Sequence, residues 1–127
     1  QAQVVFEPRG PVYVWADEFK IEEVITNYLN NAMNHLEGER QIEITLEQRE
    51  KDVKVSVFNT GQPIPQEDLE KLWTKFYKVD KARTREYGGS GIGLSIVKAI
   101  MDAHSKECGV ENAEGGVRFW FTVDSSN

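Results

Sequence analysis

Apolar and polar positions change their period several times along the chain, and each change marks an element. Val4, Val5 and Phe6 open an extended stretch, a Gly10-Pro11 turn follows, and Val12, Tyr13, Val14 and Trp15 read as a second strand. Asp17 stands where a helix N-cap belongs, its carboxylate able to accept orphan backbone donors. From Glu18 to about Leu36, the residues Ile21, Val24, Ile25, Tyr28, Leu29, Ala32 and Leu36 recur at helical spacing. That spacing predicts a helix with one buried stripe, ended by Gly38. Ile42, Ile44 and Leu46 then alternate with polar residues, as do Val53, Val55 and Val57 beyond the charged turn Gln48 to Asp52. Period two on both sides of a turn predicts an antiparallel hairpin. The stretch Asn59-Thr60-Gly61-Gln62-Pro63-Ile64-Pro65 is too rich in Gly and Pro for a regular element, and a short helical stretch follows from Gln66 to about Phe76. Tyr77 to Gly89 is charged and aperiodic and reads as a mobile loop. Gly91 opens a helix to about His104, with Ile92, Ile96, Ala99, Ile100 and Ala103 expected on one face. A short extended piece near Val110 and a strong strand from Val117 to Val123 close the chain. Strict β-α alternation is missing, so a mixed sheet covered by helices on one face is expected rather than a doubly wound parallel sheet. No internal repeat, low-complexity segment or linker interrupts the pattern.

Composition narrows the class. The 127 residues are 39% hydrophobic and 28% charged, as in an ordinary globular domain. A net charge of -6 argues against a general nucleic-acid or membrane-surface binder, which needs a basic face to meet phosphates. Cys108 is the single cysteine, so no internal disulfide forms, and no Cys/His pairs stand at zinc spacing; a reducing compartment is expected. The longest apolar run, Val12 to Ala16, is far short of the roughly 18 residues that span a bilayer. No signal peptide opens the chain, which reads as soluble and untargeted.

Four features exceed what a fold alone asks for. The first helix carries Asn27, Asn30, Asn31 and Asn34, although asparagine costs a helix about half a kcal/mol relative to alanine. At helical pitch the four share an arc of about 100° away from the apolar stripe. A solvated face would account for one or two of them; four neutral amides suggest a site, since amide oxygens ligate hard cations and amides bond phosphate without adding negative charge. The second feature is Gly88-Gly89-Ser90-Gly91-Ile92-Gly93-Leu94 leading into a helix, where small residues let backbone N–H groups approach an anion. A hinge would look the same. Neither the dinucleotide fingerprint nor the P-loop pattern fits these glycines. The third is a basic cluster, Lys75, Lys78, Lys81, Arg83 and Arg85 against Asp80 alone, a net of +4 within a chain of -6. It reads either as a solvated loop or as a lid attracted to polyphosphate. The fourth is the Asn59 to Pro65 turn at a strand end, which is explicable as a plain turn but also able to read the edge and face of a purine, with Ile64 as an apolar wall.

In order, Asn27-x-x-x-Asn31-Ala32, Asn59-x-Gly61, Leu72-Trp73-x-x-Phe76-Tyr77-Lys78 and Gly89-Ser90-Gly91-Ile92-Gly93-Leu94 resemble four boxes of the catalytic ATP-binding domain of sensor histidine kinases. These are the N box (27–35), first glycine box (59–65), F box (72–78) and second glycine box (89–94), with a lid over 77–90. The resemblance covers almost all of residues 1–127 and implies one domain with the Bergerat fold shared with gyrase, mismatch-repair ATPases and heat-shock chaperones. That fold is an α/β sandwich, a mixed sheet covered by helices on one face, with a flexible ATP lid. By the same resemblance Asn31 coordinates the Mg²⁺ that bridges the ATP phosphates, supported by Asn27. Lys78 supplies a cation near the γ-phosphate, and Gly89, Gly91 and Gly93 frame the triphosphate. Ile64 and Leu94 wall the adenine, while Trp73 and Phe76 pack the base of the lid. Asn34, His35, Gly61, Tyr77, Lys81, Ser90 and Ile92 complete the implied nucleotide contacts. Two positions depart from the family pattern. Asn34 stands where a basic residue is usual. Asn59 stands where an Asp usually accepts a bond from the adenine amino group; its amide oxygen can accept the same bond without charge assistance, at a cost of about 1 kcal/mol. Pro63 also replaces the second glycine of that box.

The resemblance further implies a reaction class. Family members that hydrolyse ATP, and serine kinases of the anti-sigma type, resemble E-x-x-x-N, with Glu as general base. Here Asn27 holds that position and takes no proton, so transfer to a histidine, which is nucleophilic when neutral, is favoured over hydrolysis. Neither His35 nor His104 has the surroundings of a phosphoacceptor box. The expected whole is therefore a membrane-anchored, homodimeric sensor protein of which this chain is a cytoplasmic catalytic domain. Its own dimerisation domain would supply the acceptor histidine, and a response regulator would receive the phosphate. The isolated domain is expected to be monomeric and to bind no nucleic acid. A stand-alone serine kinase and a nucleotide-free interaction module are the alternatives.

Overall fold

A computed structural model describes residues 3–6, 14–36, 38, 40–69, 71–73 and 93–125. The strands are β1 (Gln3–Phe6), β2 (Val14–Trp15), β3 (Gln41–Gln48), β4 (Asp52–Thr60), β5 (Cys108–Ala113) and β6 (Gly116–Ser125). The helices are α1 (Glu18–His35) and α2 (Gly93–Ala103). Asp17 caps α1 as expected, its Oδ1 accepting from the Lys20 N–H at 3.1 Å. The helix stops at Leu36, and Gly38 takes a φ of +71° just beyond it, a turn that glycine makes at little cost.

The six strands form one mixed sheet. β1 runs parallel to β3, and β3, β4 and β6 follow as antiparallel neighbours. The other edge of β6 carries β5 and then, further along, β2. One face of this sheet presents Ile42, Val53, Val57, Val117, Phe119, Phe121 and Val123, all buried, to the helices. From α1, Val24, Tyr28, Ala32 and Leu36 meet that face, so the stripe read from the sequence is the one that packs. Tyr28 sits between Phe119 and Phe121, with ring centroids 5.4 and 6.0 Å away, and its hydroxyl donates to the Trp120 carbonyl at 2.9 Å. The α/β architecture with helices on one face is as expected.

Two local expectations need correction. The short helical stretch expected from Gln66 to about Phe76 takes 3-10 rather than α form where it is described, over Gln66–Asp68 and Lys71–Trp73; residues 70 and 74–76 lie outside the described residues. The buried face of α2 is also rotated from the expected one. Leu94, Val97, Ile100 and Met101 are buried, Ile96 packs at the margin, and Ala99 and Ala103 are exposed; Ile92 lies outside the described residues. Leucine, valine and methionine remove more apolar area from water than alanines do, and the helix turns to bury them. Among the described residues no helix is long and apolar enough to cross a membrane.

Candidate functional site

Asn31 follows Tyr28 by three residues and Val24 by seven, so it stands at the margin of the buried stripe of α1. It is 1% exposed, and both of its amide atoms are buried without a hydrogen-bond partner among the described residues. Such a group costs a fold about 1–3 kcal/mol unless something binds it. Asn59 repeats the pattern from the sheet. It lies near the end of β4, opposite Ile42 on one side and Val117 on the other, with no exposed surface. Its Nδ2 donates to the Thr60 carbonyl at 3.1 Å, which leaves Oδ1 buried and unpartnered among the described residues. Gly116 makes this packing possible, because a Cβ there would lie 2.0 Å from the Asn59 carbonyl oxygen.

The asparagine arc of α1 is therefore not uniform. Asn31 is buried; Asn27 is half-buried, its Nδ2 donating back to the Glu23 carbonyl at 2.9 Å; Asn30 and Asn34 are exposed. Ile64 and Leu94, the expected adenine walls, are both buried in the one core cluster. Gly61 donates its N–H to the Gly115 carbonyl at 3.1 Å. Gly93 is the first residue of α2, so the N–H groups that open this helix belong to the end of the second glycine box. Of His35 the structure describes the backbone alone, as the last residue of α1. Tyr77, Lys78, Lys81, Gly89, Ser90, Gly91 and Ile92, with the lid 77–90, lie outside the described residues.

The sequence reading missed Asn112 of β5. Its Oδ1 accepts from the Ile64 N–H at 2.8 Å, and its Nδ2 donates to the Ile64 carbonyl at 2.9 Å. In sequence it passes for a polar residue before a hairpin turn. The available signal lay elsewhere: prolines on both sides leave Ile64 with an isolated backbone donor that needs a partner.

Burial, and then the neighbouring Cys108, hold the Tyr28 phenol well above its usual range, and burial also pushes the Cys108 thiol up. Both are uncharged at neutral pH. Among the described residues no group of three His, Cys, Asp or Glu side chains could hold a metal ion. The buried amide oxygen of Asn31 is a ligand of the kind a hard cation takes. The donors present fit a hard cation carried by a polyphosphate.

Comparison with known proteins bears on this arrangement. A family profile described as histidine kinase-, DNA gyrase B- and HSP90-like ATPase matches residues 16–127. The chain is 37% identical over 119 residues to the sensor histidine kinase WalK of Bacillus subtilis, covering 91% of this chain and 20% of that protein. It is 36% identical over 113 residues to the probable sensor kinase SilS of Salmonella typhimurium, covering 89% and 23%. The chain thus spans about a fifth of the length of these relatives. Among solved structures, the nucleotide-free catalytic domain of histidine kinase ThkA superposes with a TM-score of 0.75 at 38% identity, over 88% of this chain and 71% of that one. ThkA has also been solved in complex with the response regulator protein TrrA, and that structure matches at a TM-score of 0.72 and 35% identity, over 89% and 30% of the two chains.

Proposed function

The chain belongs to the family of histidine kinase-, DNA gyrase B- and HSP90-like ATPases, and from that premise we propose that it binds Mg-ATP and supplies the γ-phosphoryl group to a histidine on a separate dimerisation domain. One observation carries the reading: two buried asparagines, Asn31 from the helix layer and Asn59 from the sheet, keep amide atoms without partners among the described residues. Both stand in the asparagine motifs of the sequence.

When bound, Mg-ATP supplies the transferable phosphoryl group and a divalent charge to offset that of the phosphates. The residues of the chain divide the remaining work. Asn31 offers Oδ1 as a ligand to the cation and Nδ2 as a donor to a phosphate oxygen. Asn59, with Nδ2 held by Thr60, presents Oδ1 to accept a bond from an exocyclic amino group. Ile64 and Leu94 wall the base, Gly93 opens the helix that faces the phosphates, and Lys78, by its motif position, adds a cation. Asn27 bonds back to Glu23 and takes no proton, so this position supplies no general base for water or a serine hydroxyl. A neutral imidazole needs none.

The acceptor lies outside this sequence. Both ring nitrogens of His104 are engaged, Nε2 accepting from the Asp17 N–H at 3.2 Å and Nδ1 lying 2.9 Å from the Ile100 carbonyl. We place the chain as the cytoplasmic catalytic part of a membrane-anchored homodimeric sensor that passes phosphate to a response regulator.

Calorimetry with ADP at millimolar Mg²⁺ tests the nucleotide site. The wild type should bind and Asn31→Asp should bind much more weakly; a flat wild-type titration up to millimolar nucleotide overturns the reading. Incubation with ATP and an isolated dimerisation domain from a relative should yield acid-labile phosphate on that domain and none on His35 or His104. Phosphate appearing on a serine acceptor instead would replace histidine transfer with serine transfer.

A further inference from the structure

Ile64 stands between Pro63 and Pro65, so it supplies the only backbone N–H of three consecutive residues. It is also 1% exposed, and a buried peptide group needs partners for both its N–H and its C=O. Asn112 satisfies both with one side chain, at 2.8 and 2.9 Å, from 48 residues away in sequence. The amide takes the place that the peptide of a neighbouring strand would hold, and it docks an irregular loop as if the loop were a strand. Sheet register shows where that dock lies. Asn59 pairs with Val117 across one edge of β6, and Asn112 pairs with the same Val117 across the other. Paired residues point to the same face, so Asn59, Val117 and Asn112 form one row on the helix-facing side, with strands about 4.8 Å apart. The Gly61 N–H to Gly115 carbonyl bond ties the start of the loop to the same β5–β6 hairpin. The separation between the Asn59 amide and the Ile64 wall is thus fixed through this hairpin.

We infer that Asn112 is a positioning residue that gives the pocket its selectivity for a 6-aminopurine nucleotide, by holding Ile64 at the spacing a flat base needs from Asn59. The inference rests on the nucleotide reading above and deepens it. Asn31 and the start of α2, which would meet the phosphates, belong to other elements. Loss of the clamp therefore weakens recognition of the base and spares recognition of the phosphates.

The test compares ADP, GDP and inorganic triphosphate, each with Mg²⁺, on the wild type, Asn112→Ala and Asn112→Asp. The Asp variant keeps the acceptor for the Ile64 N–H and loses the donor to its carbonyl. Proton exchange at the Ile64 amide is followed by NMR alongside. In Asn112→Ala, exchange at Ile64 should accelerate, ADP affinity should fall about tenfold, and the ADP preference over GDP should shrink, for two lost hydrogen bonds of ordinary strength. Triphosphate affinity should change less than about twofold on the same scale. Asn112→Asp should fall between Asn112→Ala and the wild type. Equal losses for ADP and triphosphate, or an unchanged ADP to GDP ratio, overturn the inference while leaving the nucleotide site standing. A wild type that binds none of the three, with the Ile64 amide still protected, overturns the nucleotide reading and this inference together.

Discussion

Asn59 shows how one side chain can satisfy opposing demands. A carboxylate in its place would accept an amino group more strongly, but it would be fully buried and would lose the donor now bound to Thr60. Asn59→Asp should therefore tighten ADP binding while weakening the nucleotide-free fold. The sign follows from burial, which raises the folded-state pKa of an unpaired carboxyl above its unfolded value of about 4. Relative to wild type, the stability of the variant should be fully retained below that pH and lost as pH rises through the folded value. Urea denaturation between acid and neutral pH checks this, and a pH-independent difference would show that the carboxylate finds a partner. What could be read of this residue from sequence was its motif position. That its oxygen is buried and unpaired depended on β4 being an inner strand, a non-local fact. The asparagine arc of α1 divides similarly. Its existence is plain in the sequence, but only docking on the sheet separates the buried Asn31 from the exposed Asn30 and Asn34.

At the scale of the element, α2 is the instructive case. Its existence followed from periodicity, but its orientation did not, because apolar residues occur on more than one side of it. Packing against α1 and the sheet selects Leu94, Val97, Ile100 and Met101. Met101→Ala should therefore cost about 2–5 kcal/mol in chemical denaturation. Ala103→Lys, on the face that the sequence pattern had assigned to the core, should stay within about 0.5 kcal/mol of wild type. The reverse ranking would restore the expected face. Leu94 is both part of this buried stripe and next to the glycines, so the packing of α2 also sets where its N-terminal backbone lies.

For the whole molecule, the core joins both layers through Tyr28, whose hydroxyl reaches the sheet backbone at Trp120 and whose neighbour is Cys108. Both groups are held above their ordinary pKa by burial. Each is protonated in the fold at a pH where the unfolded chain has begun to release its proton. Their contribution is thus fully present below about pH 8.5 and is lost as pH rises through the alkaline range. Thermal unfolding from neutral to strongly alkaline pH should show this decline. Tyr28→Phe should be less stable at neutral pH by about 1 kcal/mol, for the lost hydrogen bond, and should decline less steeply. An identical alkaline slope in the variant would assign the decline to other groups.

The sequence by itself determined the element order, the N-cap at Asp17, the stripe of α1, the β3–β4 hairpin and the family motifs, because each is written in residues close together in the chain. Charge followed the same rule: a net of -6 with a +4 cluster between Lys75 and Arg85 is a matter of local counting. The tertiary structure alone decided which face of α2 is buried, which asparagines keep unpaired amides, and that Asn112 holds Ile64 from 48 residues away. Those outcomes depend on competition between surfaces for burial and on strand register, and both arise only when distant segments meet.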